Sequence, residues 1–149
     1  MPEVMIRSGL RADLPAVLDL VRELALYEQA PDEVRTTLAD YERDFDHIFH
    51  TIVAEANGRI VGMALYFMTF STWKGRMLWL EDFIITHSYR QAGIGRRLFE
   101  AVLEEAQRRQ VVQMKWQVLD WNEPAIHFYE RYPVTFDKGW WNVRLMLDK

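Results

Sequence analysis

Apolar residues recur first at helical and then at strand spacing along this chain, and the change of period lays out its elements. Val4 to Arg7 reads as a short first strand. Asp13 is placed to cap a helix in which Leu14, Val17, Leu18, Val21, Leu24 and Ala25 line one face as far as Tyr27 and Glu28. A second helix is predicted from the Thr37…Asp40 capping box, burying Leu38, Tyr41, Phe45 and Ile48. The period then switches. Thr51 to Ala56 and Arg59 to Phe70 form a hairpin about Asn57-Gly58, a strong type I′ turn signal. Trp73 to Arg76 makes a second turn, and Met77 to Thr86 is a long apolar strand. A Gly-containing loop opens a helix over Gly95 to Gln110, and Val112 to Leu119 is the next strand, set parallel to Met77–Thr86 by the crossover. Pro124 suits the first turn of a short helix ending near Tyr132, and Trp140 to Leu147 reads as a closing strand. The predicted class is α/β: a mixed sheet with helices on both faces.

Composition narrows the function classes. The 149 residues carry 18 Lys+Arg and 22 Asp+Glu, a formal net charge of −4, with 50% apolar residues. That suits one globular domain over residues 1–149, burying roughly 68–70% of its unfolded surface. The acidic balance argues against nucleic acid as a partner. The longest apolar run, Met63 to Met68, is far too short for a membrane span. Glu3 and the lack of a basic-then-apolar leader point to the cytoplasm. With no cysteine, thiolate nucleophiles, disulfides and Cys-based zinc sites are excluded. His47 and His50 are three apart but lack an evident third ligand, while His87 and His127 read as packing residues, so no metal is expected.

The segment Arg90-Gln91-Ala92-Gly93-Ile94-Gly95-Arg96-Arg97 lies between a buried strand and an amphipathic helix. Glycines let backbone amides converge on a ligand, and the helix start adds partial positive charge. No acid occurs from Ile84 to Phe99, and Arg90, Arg96 and Arg97 crowd the first turn. Cations there are unfavourable unless an anion belongs beside them. The segment is neither a dinucleotide fingerprint, since Leu98 stands where a small residue is needed, nor a P-loop, since no Gly-Lys-Ser/Thr follows.

Arg90-x-x-Gly93-x-Gly95 after a strand resembles the acetyl-CoA pyrophosphate loop of the GNAT superfamily of N-acetyltransferases. Four blocks are similar to its diamine (spermidine/spermine-type) branch: Leu24-Ala25-x-Tyr27-Glu28, Leu80-Glu81-Asp82-Phe83, Tyr89-Arg90-x-x-Gly93-Ile94-Gly95 and Trp121-Asn122-Glu123-Pro124-Ala125-Ile126-x-Phe128-Tyr129. The resemblance implies a GNAT-like fold whose two central parallel strands splay apart around acetyl-CoA. It places the pyrophosphate on the amides from Gln91 through Ala92, Gly93, Ile94 and Gly95 to Arg96 and on the Arg90 side chain. The pantetheine arm pairs with the backbone of Phe83, Ile84 and Ile85, Asn122 meets its end, and Tyr129 sits near the thioester sulfur. Tyr27, Glu28, Glu81 and Asp82 line the amine side.

The chemistry asks for the same residue types. Amine attack on a thioester needs a neutral amine, a stabilised oxyanion and a proton for the leaving thiolate. A tyrosine, with an ordinary pKa near 10, suits return of that proton, which makes Tyr129 the candidate general acid. Glu81 is the candidate relay for the amine's proton through water. An acyl-thiol enzyme is excluded without cysteine, so a ternary complex is expected.

The chain also departs from the branch. Lys138 stands before Gly139-Trp140, where the polyamine enzymes are acidic, which puts spermidine and spermine in doubt and brings forward a smaller amine such as a lysine analogue. Tyr132-Pro133 replaces a glycine after the tyrosine-bearing helix, and Ala92 replaces another in the loop. The expected function is acetyl transfer from acetyl-CoA to a small primary amine: a diamine, a polyamine or a lysine-like amine. Two alternatives stay open, a non-catalytic acyl-CoA sensor and a protein or peptide N-acetyltransferase. Trp140-Trp141 is a candidate apolar patch for a homodimer.

Overall fold

The computed structural model describes residues 3–148. They fall into two compact units, the first ending at Gln117 and the second beginning at Val118.

In the first unit, β1 (Val4–Ser8), β2 (His50–Ala56), β3 (Arg59–Ser71), β4 (Gly75–Ile85) and β5 (Gln113–Lys115) form one sheet in that order. The first four are antiparallel to their neighbours, whereas β4 and β5 run parallel. Asn57 and Gly58 both take positive φ (54° and 74°), as the predicted type I′ turn requires.

Helices cover both faces of this sheet. On one, α1 (Leu14–Tyr27) and α2 (Leu38–Asp44) pack Leu14, Val17, Leu18, Leu20 and Tyr41 on Val53, Met63, Leu65 and Ile84. On the other, α3 (Ile94–Arg108) buries Ile94, Leu98, Phe99, Val102 and Ala106. Phe99 meets the Phe83 ring edge-on at 5.8 Å, and Tyr66 of β3 donates its hydroxyl to Glu105 at 3.3 Å. Arg108 and Arg109 hold the Glu105 carboxyl at about 2, well below its ordinary value, by direct hydrogen bonds.

Several expectations need correction. Asp13 stands at the α1 N-cap, but its carboxylate accepts from the backbone N–H of Leu10 and from Arg7 instead of the helix amides. The Thr37–Asp40 capping box is formed, yet α2 ends at Asp44. The chain then turns through a Phe45–Phe49 bridge that buries those two rings and leaves Ile48 exposed. His50 accordingly lies in β2, away from any helix face shared with His47. Among the described residues no cluster of three His, Asp or Glu side chains is arranged to hold a metal.

The expected Val112–Leu119 strand shrinks to Gln113–Lys115 because only those residues have ladder partners, Met77 to Trp79. In the second unit, α4 spans Glu123–Tyr129 with Asn122 as its N-cap. The predicted closing strand Trp140–Leu147 is not formed. Its backbone joins no ladder among the described residues, and a strand without a paired neighbour has nothing to satisfy its N–H and C=O groups but water. No helix of the described residues is long and apolar enough to cross a membrane.

Candidate active site

β4 carries five of the candidate residues, Glu81 to Ile85, and its pairing sets their surroundings. After three rungs with β5, β4 runs on from Leu80 to Ile85 with no strand paired on that side among the described residues, while its other edge stays bonded to β3. The parallel pairing is thus confined to Met77–Trp79, where β5 ends at Lys115. The register against β3 also slips here. Leu65 faces Asp82 and Tyr66 faces Leu80, so Glu81 is the extra residue of a bulge. Bulges re-aim side chains, and this one lies just beyond the last β4–β5 rung, with Glu81 within electrostatic reach of Asp82.

The two acids differ in environment. Glu81 is exposed, and its carboxylate accepts from Trp79 Nε1 at 2.9 Å. Asp82 is half-buried toward α1 and α2, within electrostatic reach of Glu28 and Tyr41. Burial first, then the charges of Glu81 and Glu28, push its pKa up to about 7. Glu28 ends α1, where burial raises its pKa too. Asp82 thus lies within electrostatic reach of both Glu81 and Glu28, an arrangement of three acids that favours a cationic visitor. Tyr27, adjacent on α1, presents its ring under the Arg90 guanidinium at 5.3 Å.

The Gly-rich segment joins β4 to α3. Gln91 and Gly93 both take positive φ (66° and 78°), and Gly93 is the α3 N-cap. Open space surrounds the position a Gly93 Cβ would take, and a glycine cap offers no side-chain acceptor to the helix amides. No acid occupies the first turn. The residues thus fit an anionic group of acetyl-CoA: left-handed backbone, a helix start without a carboxylate, and a neighbouring strand edge.

The charge argument, however, is amended. Arg96 pairs with Glu100 at 3.1 Å, and Arg97 donates to the Val4 carbonyl oxygen at 2.9 Å. Arg90 donates to the Ile85 carbonyl at 2.9 Å and lies 3.5 Å from Glu23. Each arginine has a protein partner, so the attraction for an anion rests on the backbone and the glycine cap.

Glu23 was not apparent from spacing. Its carboxylate accepts from Thr86 Oγ1 at 2.7 Å and from the His87 N–H at 3.0 Å, besides facing Arg90. Helix α1, which bears Tyr27 and Glu28, is thereby tied to the segment leading into the anion loop. On the sequence Glu23 is one more acid of an amphipathic helix, and only the tertiary contact distinguishes it.

In the second unit, Asn122 is buried and its side-chain oxygen accepts from the Ala125 N–H at 3.4 Å. Tyr129, the last residue of α4, is buried with its ring 5.5 Å from that of Phe128.

Residues 14–132 match the model of the acetyltransferase (GNAT) family, and the chain belongs to that family. It is an acetyltransferase. Thialysine N-epsilon-acetyltransferase of Bos taurus is 36% identical, over 94% of this chain and 91% of its own. Spermidine/spermine N(1)-acetyltransferase-like protein 1 of Homo sapiens is 32% identical over 94% of this chain, which spans 22% of that protein. Among solved structures, an aminoglycoside acetyltransferase from an uncultured soil metagenomic sample aligns with a TM-score of 0.80 at 16% identity, over 97% of both chains, a likeness of fold.

Proposed function

We propose that residues 1–149 work as one domain that transfers an acetyl group from acetyl-CoA to the primary amine of a small molecule, by direct attack in a ternary complex. The observation that carries this reading is Asp82, a half-buried carboxyl held near pKa 7 on β4 just beyond its last rung with β5. An alkylammonium must lose a proton before it can attack, and a base with a pKa near neutrality is matched to taking it. The names of the relatives, thialysine and spermidine/spermine enzymes, agree with an amine of this size.

In this reading acetyl-CoA supplies the acetyl group, with its pyrophosphate on the amides from Gln91 to Arg96 and its arm along Phe83, Ile84 and Ile85. Arg90 serves the loop by holding it to Ile85, Glu23 and Tyr27. Glu28 and Glu81 draw in the ammonium, and Asp82 accepts its proton, directly or through a water held by Glu81. Tyr129 returns a proton to the departing thiolate sulfur, and Asn122 fixes the start of the helix that carries Tyr129. The cysteine-free composition suits the reducing cytoplasm, and a homodimer is part of the same reading.

Two variants test it. Asp82→Asn is expected to lower kcat by about 100-fold or more, and Tyr129→Phe by about 100-fold with unchanged acetyl-CoA affinity. Turnover by Tyr129→Phe at the parent rate would remove that tyrosine from the proton path.

A further inference from the structure

The extra residue at Glu81 sets Trp79 and Asp82, three apart in sequence, on one face of the sheet. Ladder partners point to the same side, so Phe67 and Trp79 stand with Leu65 and Asp82, while Tyr66 and Leu80 point the other way. Leu65 belongs to the core beneath α1 and α2, and Tyr66 donates to Glu105 of α3. The shared face is therefore the α1 side. In a regular strand residues 79 and 82 would point apart, and the bulge brings them together.

The parallel register extends this face by one strand. Lys115, the last residue of β5, is the partner of Trp79 and completes the row Phe67–Trp79–Lys115. Its side chain is exposed and makes no ion pair or hydrogen bond among the described residues. Glu81 does not pair with it, because its carboxylate accepts from Trp79 Nε1 at 2.9 Å.

About 8 Å separates the backbone positions of Lys115 and Asp82, from two rises of about 3.4 Å and one strand spacing of about 4.8 Å. Trp79 lies between them and, with Phe67, gives a half-buried apolar floor. The face thus offers carboxylates at one end, apolar surface in the middle and a single ammonium at the other. An extended chain advances about 1.2 Å per bond, so about six to seven bonds span the gap.

We propose, resting on the amine site assigned above, that Lys115 is a specificity-determining residue that takes the carboxylate of the substrate. The substrate class is then a linear amino acid whose reactive amine lies about six bonds from its carboxylate, with the ammonium at Asp82 and the methylenes along Trp79. A polyamine long enough to reach Lys115 would set another ammonium against it, and like charges repel.

The experiment measures kcat and KM for L-lysine and L-lysine amide, which differ at the carboxylate alone, with the parent protein and Lys115→Ala, Lys115→Arg and Lys115→Glu. Lys115 is exposed, so these substitutions spare the fold. The parent is expected to favour lysine over its amide in kcat/KM by about tenfold or more, carried by KM, because the amide forfeits a charge-assisted hydrogen bond. Lys115→Ala should bring the two to parity, Lys115→Arg should keep the preference, and Lys115→Glu should reverse it. Calorimetric titration of both amines into the protein–CoA complex reads the same preference without turnover. Lysine held in preference to its amide through Lys115, with no thiol released, would overturn acetyl transfer and leave the carboxylate subsite standing. Equal kcat/KM and equal or absent binding of the two amines by the parent, or a preference that Lys115→Ala leaves unchanged, would overturn the subsite.

Discussion

At the residue scale, Asp82 decides the pH behaviour. Its folded pKa of about 7 lies above the roughly 4 of an unfolded aspartate, so the folded state holds the extra proton between those values. The contribution of this group to stability is therefore highest below about pH 4, falls as pH rises to about 7, and is level above that. Asp82→Asn should remove this decline, seen as a flatter Tm-against-pH curve between pH 4 and 7. In turnover the sign reverses. The ionised form is the proton acceptor, so kcat/KM for the amine should rise with pH through about 7, a limb absent from Asp82→Asn. Glu105 acts at the acid extreme: its ion pairs stabilise above about pH 4.5 and are lost as pH falls toward 2. Neither residue advertised this on the sequence. Glu81 and Asp82 were legible as adjacent candidate acids, but which of them is enclosed follows from the bulge and from Glu28 and Tyr41 arriving from distant helices.

Glu23 belongs to the same scale. It joins α1 to Thr86, His87 and Arg90, so it positions the anion loop without itself being placed to touch the reacting atoms. Glu23→Ala is expected to raise the KM for acetyl-CoA about tenfold or more through loop misplacement, with Glu23→Gln partly restoring it by keeping an acceptor for Thr86 and His87. Equal KM values for the parent and both variants would confine Glu23 to a surface role.

Among the elements, those with local signals were the legible ones. The type I′ turn at Asn57-Gly58, the Thr37 capping box and the amphipathic face of α3 each formed where short-range chemistry put them. The misses share one cause. Ile48, the second half of the strand after Val112 and the Trp140–Leu147 segment depend on partners distant in sequence, and alternation alone does not say whether a partner strand arrives. Gly93 shows the gain from a local rule. Its positive φ costs any other residue about 1 kcal/mol, so Gly93→Ala should destabilise the fold by about that amount in urea titration. The same variant should bind acetyl-CoA more weakly by calorimetry, because the loop amides shift with the strained cap. Unchanged binding would detach the loop from the cofactor.

For the whole molecule, a mixed sheet with helices on both faces was foreseen, since the order of helical and strand periods fixes that class. Recognition of an amine is harder to read, because the acids come from α1 and β4 while Lys138 lies in the second unit. Net charge is −4, so a cationic substrate is favoured at long range, and local charge then selects among amines. Lys138→Glu is expected to improve kcat/KM for spermidine over that for a lysine analogue, by severalfold at low ionic strength. The central claim is acetyl transfer to a small primary amine, and its most direct test is acetyl-CoA-dependent thiol release across diamines, polyamines, lysine analogues and short peptides. The account predicts turnover on a small-amine class, strongest for lysine-like amines and diamines and weaker for polyamines. Tight acetyl-CoA binding with no turnover on any amine, or turnover confined to the peptides, would contradict it.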